Sequence, residues 1–112
     1  MKESAVVVDN EQIGITGVYG ERIPINELNQ VFLADTVPNI ILRTNGISAG
    51  RINKGYFRSS SLQKNVKLLL HTRGAPYLYI IYEGNRYVIL NFRDREKTLE
   101  VYEKLKGLVE TE

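Results

Sequence analysis

Residues 77–83 constrain this chain more than any other segment. Leu78, Ile80 and Tyr82 alternate with Tyr77, Tyr79 and Ile81, so an extended backbone here is apolar on both faces. Such a strand belongs inside a sheet that is covered on both sides. Residues 66–72 and 87–92 also read as strands, set off by Arg73-Gly74-Ala75-Pro76 and by Gly84-Asn85. Turns this short predict antiparallel hairpins.

Upstream, Val6 and Val8, then Ile13 and Ile15, alternate with other residues on either side of Asp9-Asn10-Glu11, which predicts strand, turn, strand. Gly17 and Gly20 lead into Arg22-Ile23-Pro24-Ile25, where proline lacks an amide donor and favours an edge or a strand end. Residues 30–34 and 39–44 are further strand candidates, the second closed by Asn45-Gly46. Residues 47–54 hold no sustained period and read as a loop whose bends use Gly46, Gly50 and Gly55; 56–60 reads as a short strand.

After Asp94 the period turns helical, with Leu99, Tyr102, Leu105 and Val109 on one stripe. Asp94 suits the N-cap, Glu96 the positive end of the helix, and Lys104 and Lys106 the other end. The expectation is one mainly β domain over 1–112, with strands within about 4–92 and a C-terminal α-helix over about 94–109.

A chain of 112 residues with 43% apolar and 25% charged side chains has room for one compact core. With no cysteine it cannot form a disulfide, a thiolate zinc site or a cysteine nucleophile. With one histidine, His71, a site of two or three histidines cannot come from one chain. His71 reads as an exposed or partly buried strand-end imidazole, and nothing singles out a nucleophile in Ser59-Ser60-Ser61. The glycines at 46, 50 and 55 fit no phosphate-cradling motif, and Glu96, Glu100 and Glu103 sit on a solvated helix face. No catalytic, cofactor or metal residues are assigned. The apolar runs are far too short for a spanning helix, and residues 1–10 turn polar too quickly for a secretory signal, so a cytoplasmic location is expected.

Net charge is only +2, yet it is unevenly spread. Between Asp35 and Glu83 there is no acidic residue, while Arg43, Arg51, Lys54, Arg58, Lys64, Lys67 and Arg73 give that stretch a formal +7. These seven are the candidate contacts to an anionic surface. The same pattern also arises when long basic side chains solvate strands and pair with acids from elsewhere in the fold. Tyr77, Tyr79, Tyr82 and Tyr87 fall in one hairpin; strand propensity and core burial account for them without a stacked ligand.

Several segments together carry a family resemblance. Arg43-Thr44-Asn45-Gly46, Gly50 and Gly55-Tyr56-Phe57-Arg58 are followed by His71-Thr72 at a strand end. Pro76-Tyr77-Leu78-Tyr79-Ile80-Ile81 and Arg86-Tyr87-Val88-Ile89-Leu90-Asn91 then precede the acid-capped helix. In this order the chain resembles the bacterial pleckstrin-homology-like family over nearly its whole length, most specifically over 43–105. The resemblance implies an antiparallel barrel of about seven strands capped by the helix. It names a fold and no activity, and members of that family often stand beside transmembrane helices in longer proteins. Where that family often has proline after the last strand, this chain has Asn91-Phe92-Arg93. Related barrels that hold phosphoinositides cluster Lys and Arg around the first strand pair. Here that region offers Asp9, Glu11 and Glu21 with only Arg22, so no specific phosphoinositide pocket is expected.

The functional expectation is a non-enzymatic interaction domain that needs no cofactor and works at the cytoplasmic membrane face through its basic middle. The alternative is a strand edge that takes a peptide or a second copy of the chain. Nucleic-acid binding ranks third, because the chain has no recognised reading motif and little net charge.

Overall fold

The computed structural model describes residues 2–109; of Ile41 it describes the backbone alone. Nine strands form two sheets, and one helix follows. The smaller sheet is the antiparallel meander β1 (Val6–Val8), β2 (Gln12–Ile15) and β3 (Glu21–Pro24). Asp9 shapes its first turn by accepting hydrogen bonds from the Glu11 and Gln12 amides, and these hold its carboxyl below the usual range. A short 3-10 turn, Ile25–Glu27, then leads to the larger sheet.

That sheet contains β4 (Leu28–Ala34), β5 (Ile40–Ala49), β6 (Ile52–Ser59), β7 (Lys64–Leu70), β8 (Tyr77–Tyr82) and β9 (Arg86–Leu90), in the spatial order β4-β8-β9-β7-β6-β5. Helix α1 (Arg95–Val109) packs against β4 and β8. Asp94 Oδ1 accepts the Glu96 amide at 2.9 Å, the cap read from the sequence.

Strand β8 lies between β4 and β9 and is apolar on both sides, as its alternation requires. Leu78, Ile80 and Tyr82 join Ile13, Ile15, Ile23, Leu69, Val101 and Leu105 in a core between this sheet, the small sheet and α1. Tyr79, on the other face, joins Phe57, Val66, Leu68, Leu70 and Ile89 in a second core. Residues 35–39 connect β4 to β5, which are opposite edges of the larger sheet. A flat six-stranded sheet is about 24 Å wide, more than so short a connection spans, so the sheet curls around the second core. Phe32 of β4 and Ile40 of β5 both pack on that core, while β4 and β5 share no ladder.

Several expectations change here. The strands number nine, and the larger sheet curls without closing into a barrel. Residues 47–54, expected as a loop, belong mostly to the long β5–β6 hairpin, where a largely exposed edge strand has no need of an apolar period. Strands β7 and β8 form no hairpin, because β9 lies between them and runs parallel to β7. The connection 71–76, with its cis Ala75–Pro76 bond, therefore passes around the end of β9. The buried helix positions are Thr98, Val101 and Leu105, so the stripe is rotated from the expected one. Thr98 faces inward because its Oγ1 accepts the Phe92 amide at 3.0 Å.

Gly46 and Gly55 face each other across the β5–β6 hairpin. A Cβ on Gly55 would lie 2.3 Å from the Asn45 carbonyl oxygen and 2.5 Å from Gly46 Cα, at a φ of +128°. Gly55→Ala is therefore expected to cost roughly 3 kcal/mol or more in urea denaturation, because neither backbone can yield. Gly50→Ala meets nothing within 4 Å and carries only the left-handed backbone cost of its φ of +58°, about 1 kcal/mol.

Candidate functional site

The fold disperses the seven basic residues into separate groups. Lys54 lies wholly inside, on the face of β6 toward the first core, and is paired across the strands with Leu69. Lys67, also buried, forms an ion pair with Glu21 at 3.2 Å and donates to the Gly20 carbonyl. The Lys54 amine reaches no surface, and that of Lys67 is committed to Glu21 at the floor of a cleft. Arg43 and Arg58 are exposed on the β5–β6 hairpin. Lys64 sits at the rim of a cleft, and Arg51 and Arg73 meet at the far end of the hairpin.

The cleft, about 320 Å³, is lined by Glu21, Tyr56, Lys64, Lys67, Tyr82 and Arg86 among others. Each of its cations lies over a ring: Lys64 over Tyr87 at 4.6 Å, Lys67 over Tyr56 at 5.0 Å and Arg86 over Tyr82 at 5.3 Å. Lys64 also donates to the Asn85 carbonyl, and Arg86 pairs with Glu83 at 3.1 Å. The Tyr82 hydroxyl donates to Glu21 at 2.5 Å. Burial, with that bond, raises its pKa, so it stays protonated. These cations are already engaged, and the cleft is a structural network more than a receptor for anions.

The second group is built differently. Arg51 Nε donates to the His71 carbonyl at 3.1 Å, and Arg73 Nη2 donates to the Gly50 carbonyl at 2.9 Å, so each arginine anchors the other's turn. One guanidinium nitrogen is used in each case, leaving further donors free. Arg93 and Arg95, outside the acid-free stretch, line a hollow of about 130 Å³ with Gly74, Ala75 and Pro76 of the same 71–76 connection. Glu3 pairs with Arg93 at 3.7 Å, and Asp94 is occupied as the helix cap. Arg51, Arg73 and Arg95 have no carboxylate partner among the described residues.

This end is framed from within by Asn91, at the end of β9. Its Oδ1 accepts the amides of His71 at 2.8 Å and Thr72 at 3.3 Å. Its Nδ2 donates to the carbonyls of Thr72 at 3.0 Å and Gly74 at 3.2 Å. His71 is fully buried, unlike the exposed or partly buried residue expected. Its pKa is lowered by burial first and by the Lys54 charge second, which favours neutral imidazole.

Sequence reasoning missed Arg93, Arg95 and Asn91. No local pattern marks them, since they meet the basic segment only where the 71–76 connection rounds β9. Among the described residues no group of three His, Asp or Glu is placed to hold a metal ion, and no helix is long and apolar enough to cross a membrane. Compared with known proteins, the chain matches no family model, no curated protein and no solved structure.

Proposed function

We propose that this chain is a non-catalytic interaction domain of the bacterial pleckstrin-homology-like type, and that it docks on an anionic membrane face. The observation that carries the docking surface is the grouping of Arg51, Arg73 and Arg95, exposed and free of carboxylate partners, around one braced connection. The β-rich architecture with its C-terminal helix is compatible with the type, and the sequence resemblance from Arg43 onward is what names it. Each arginine near an anionic leaflet contributes about 1 kcal/mol, which gives weak, salt-sensitive attachment.

The test is co-sedimentation with vesicles of zwitterionic lipid and of mixed anionic lipid, at low and high salt. The domain should bind the anionic vesicles alone and release in high salt. Replacing Arg51, Arg73 and Arg95 with glutamine should lower partitioning on the order of a hundredfold. Lys104→Gln, on an exposed position of α1, should change it little. Equal binding by the triple variant, or none by the unaltered chain, would overturn the proposal.

A further inference from the structure

The larger sheet has two edges of unlike character. Helix α1 packs against β4, the first edge. Strand β5, the second, is the longest strand among the described residues, and none of their strands pairs with its outer side. Residues 42–45 and 48–49 are exposed, with Leu42 at 56%. Edge strands of soluble proteins are usually guarded by proline, lysine or a covering element. Strand β5 has neither of those residues, and its one charge is Arg43. Its register against β6 shifts between Ile40 and Leu42 and between Arg43 and Asn45, so the strand is in regular register at Leu42–Arg43 and over 45–49.

The charge around this edge is one-sided. Arg58 lies across the hairpin from Leu42, and Arg43 lies beside Leu42 on the opposite face of the strand. Neither arginine pairs with a carboxylate among the described residues. From residue 36 to residue 82 the chain holds no acid that could approach from a neighbouring strand. An incoming strand with alternating side chains would place one residue beside Leu42 and the next beside Arg43.

We propose that the outer edge of β5 takes an extended acidic segment of a partner protein by strand addition, with an apolar residue beside Leu42 and a carboxylate beside Arg43. Backbone hydrogen bonds to the open edge supply the affinity, and Arg43 and Arg58 select the charge. A second copy of this chain is the poorer occupant, because β5 pairing with β5 brings two acid-free basic edges together. This surface is separate from the arginines proposed to meet a membrane, so it goes beyond that reading and can fail without it.

The experiment uses a fluorescent ten-residue peptide of alternating valine and glutamate, its lysine counterpart, and a glutamate version N-methylated at every second amide. Fluorescence polarisation should detect binding of the glutamate peptide alone. Arg43→Glu, at an exposed position without partners, should weaken that binding about tenfold and bring in the lysine peptide. Leu42→Ser should weaken it as well, while Arg95→Gln, on α1 and outside the β5–β6 hairpin, should bind the peptide as the unaltered chain does. Three outcomes would overturn the proposal. These are no binding of the glutamate peptide, undiminished binding of its N-methylated form, and a dimer in light scattering that Arg43→Glu disrupts.

Discussion

Lys54→Met is expected to raise the stability of this domain by about 1–3 kcal/mol in urea denaturation. Lys54 is 0% exposed, and its Nζ has no hydrogen-bond partner among the described residues. The Ser4 hydroxyl and His71 Nε2 are also buried without hydrogen-bond partners among the described residues. Ser4 Oγ and Lys54 Nζ lie 3.5 and 3.7 Å from the point where a Cβ on Gly17 would stand, so the N-terminal segment closes over the amine. A buried ammonium without a counterion loses hydration and gains nothing in return, and methionine keeps much of the aliphatic volume. A variant no more stable than the original would mean that the amine does have a stabilising partner.

The same groups set a pH dependence. Burial lowers the pKa of Lys54, and burial followed by the charge of Lys54 lowers that of His71. For a base with a lowered folded pKa, the unfolded chain binds the proton first. Stability is therefore full above the ordinary value and is lost as pH falls through it toward the folded value. For Lys54 the loss begins below 10.5, and for His71 below 6.5. Denaturation midpoints should fall between pH 8 and pH 5, more steeply below 6.5, and Lys54→Met should flatten the curve. A midpoint that rises on acidification would contradict this account.

Asn91→Leu is expected to have a large effect of the opposite sign. The side chain makes four hydrogen bonds to the backbone of residues 71–74 in a place where it is 1% exposed. Buried backbone groups left without partners cost about 1–3 kcal/mol each, and relaxation recovers part of that. A loss of roughly 3 kcal/mol or more should follow in urea denaturation. Asn91→Asp keeps the two acceptor contacts and loses the two donor contacts, so it should fall between. The connection it holds also carries Arg73 and the carbonyl that anchors Arg51. Vesicle partitioning by the folded fraction should therefore weaken in Asn91→Leu although every arginine is present. A loss below 1 kcal/mol would mean that Asn91 does not frame this end.

How much was legible depended on how locally each feature is encoded. The two apolar faces of β8 demanded a central strand, and the hairpin to β9 needed only Gly84-Asn85 and the alternation on either side. The Asp94 cap was equally plain, because an N-cap acts within one turn. The helix stripe was only half legible: Tyr102 and Leu105 face the core, but Thr98 replaces Leu99 because of a bond to the Phe92 amide. The outer part of β5 could not be seen, since an exposed edge strand shows no alternation. Of the seven candidate cations, only a part became surface, and Lys54 looked no different in sequence from Arg51 or Arg58.

Sequence alone therefore determined the class of the fold, its last hairpin, its helix and an acid-free basic middle, because period and composition act over a few neighbouring residues. Tertiary structure decided that β9 inserts between β7 and β8, and that a five-residue connection curls the larger sheet without closing it. It also decided that Lys54 and Lys67 turn inward and that Arg93 and Arg95 join Arg51 and Arg73. The physical reason is that burial and charge pairing belong to the space between elements, and that space exists only once strands far apart in the chain lie side by side.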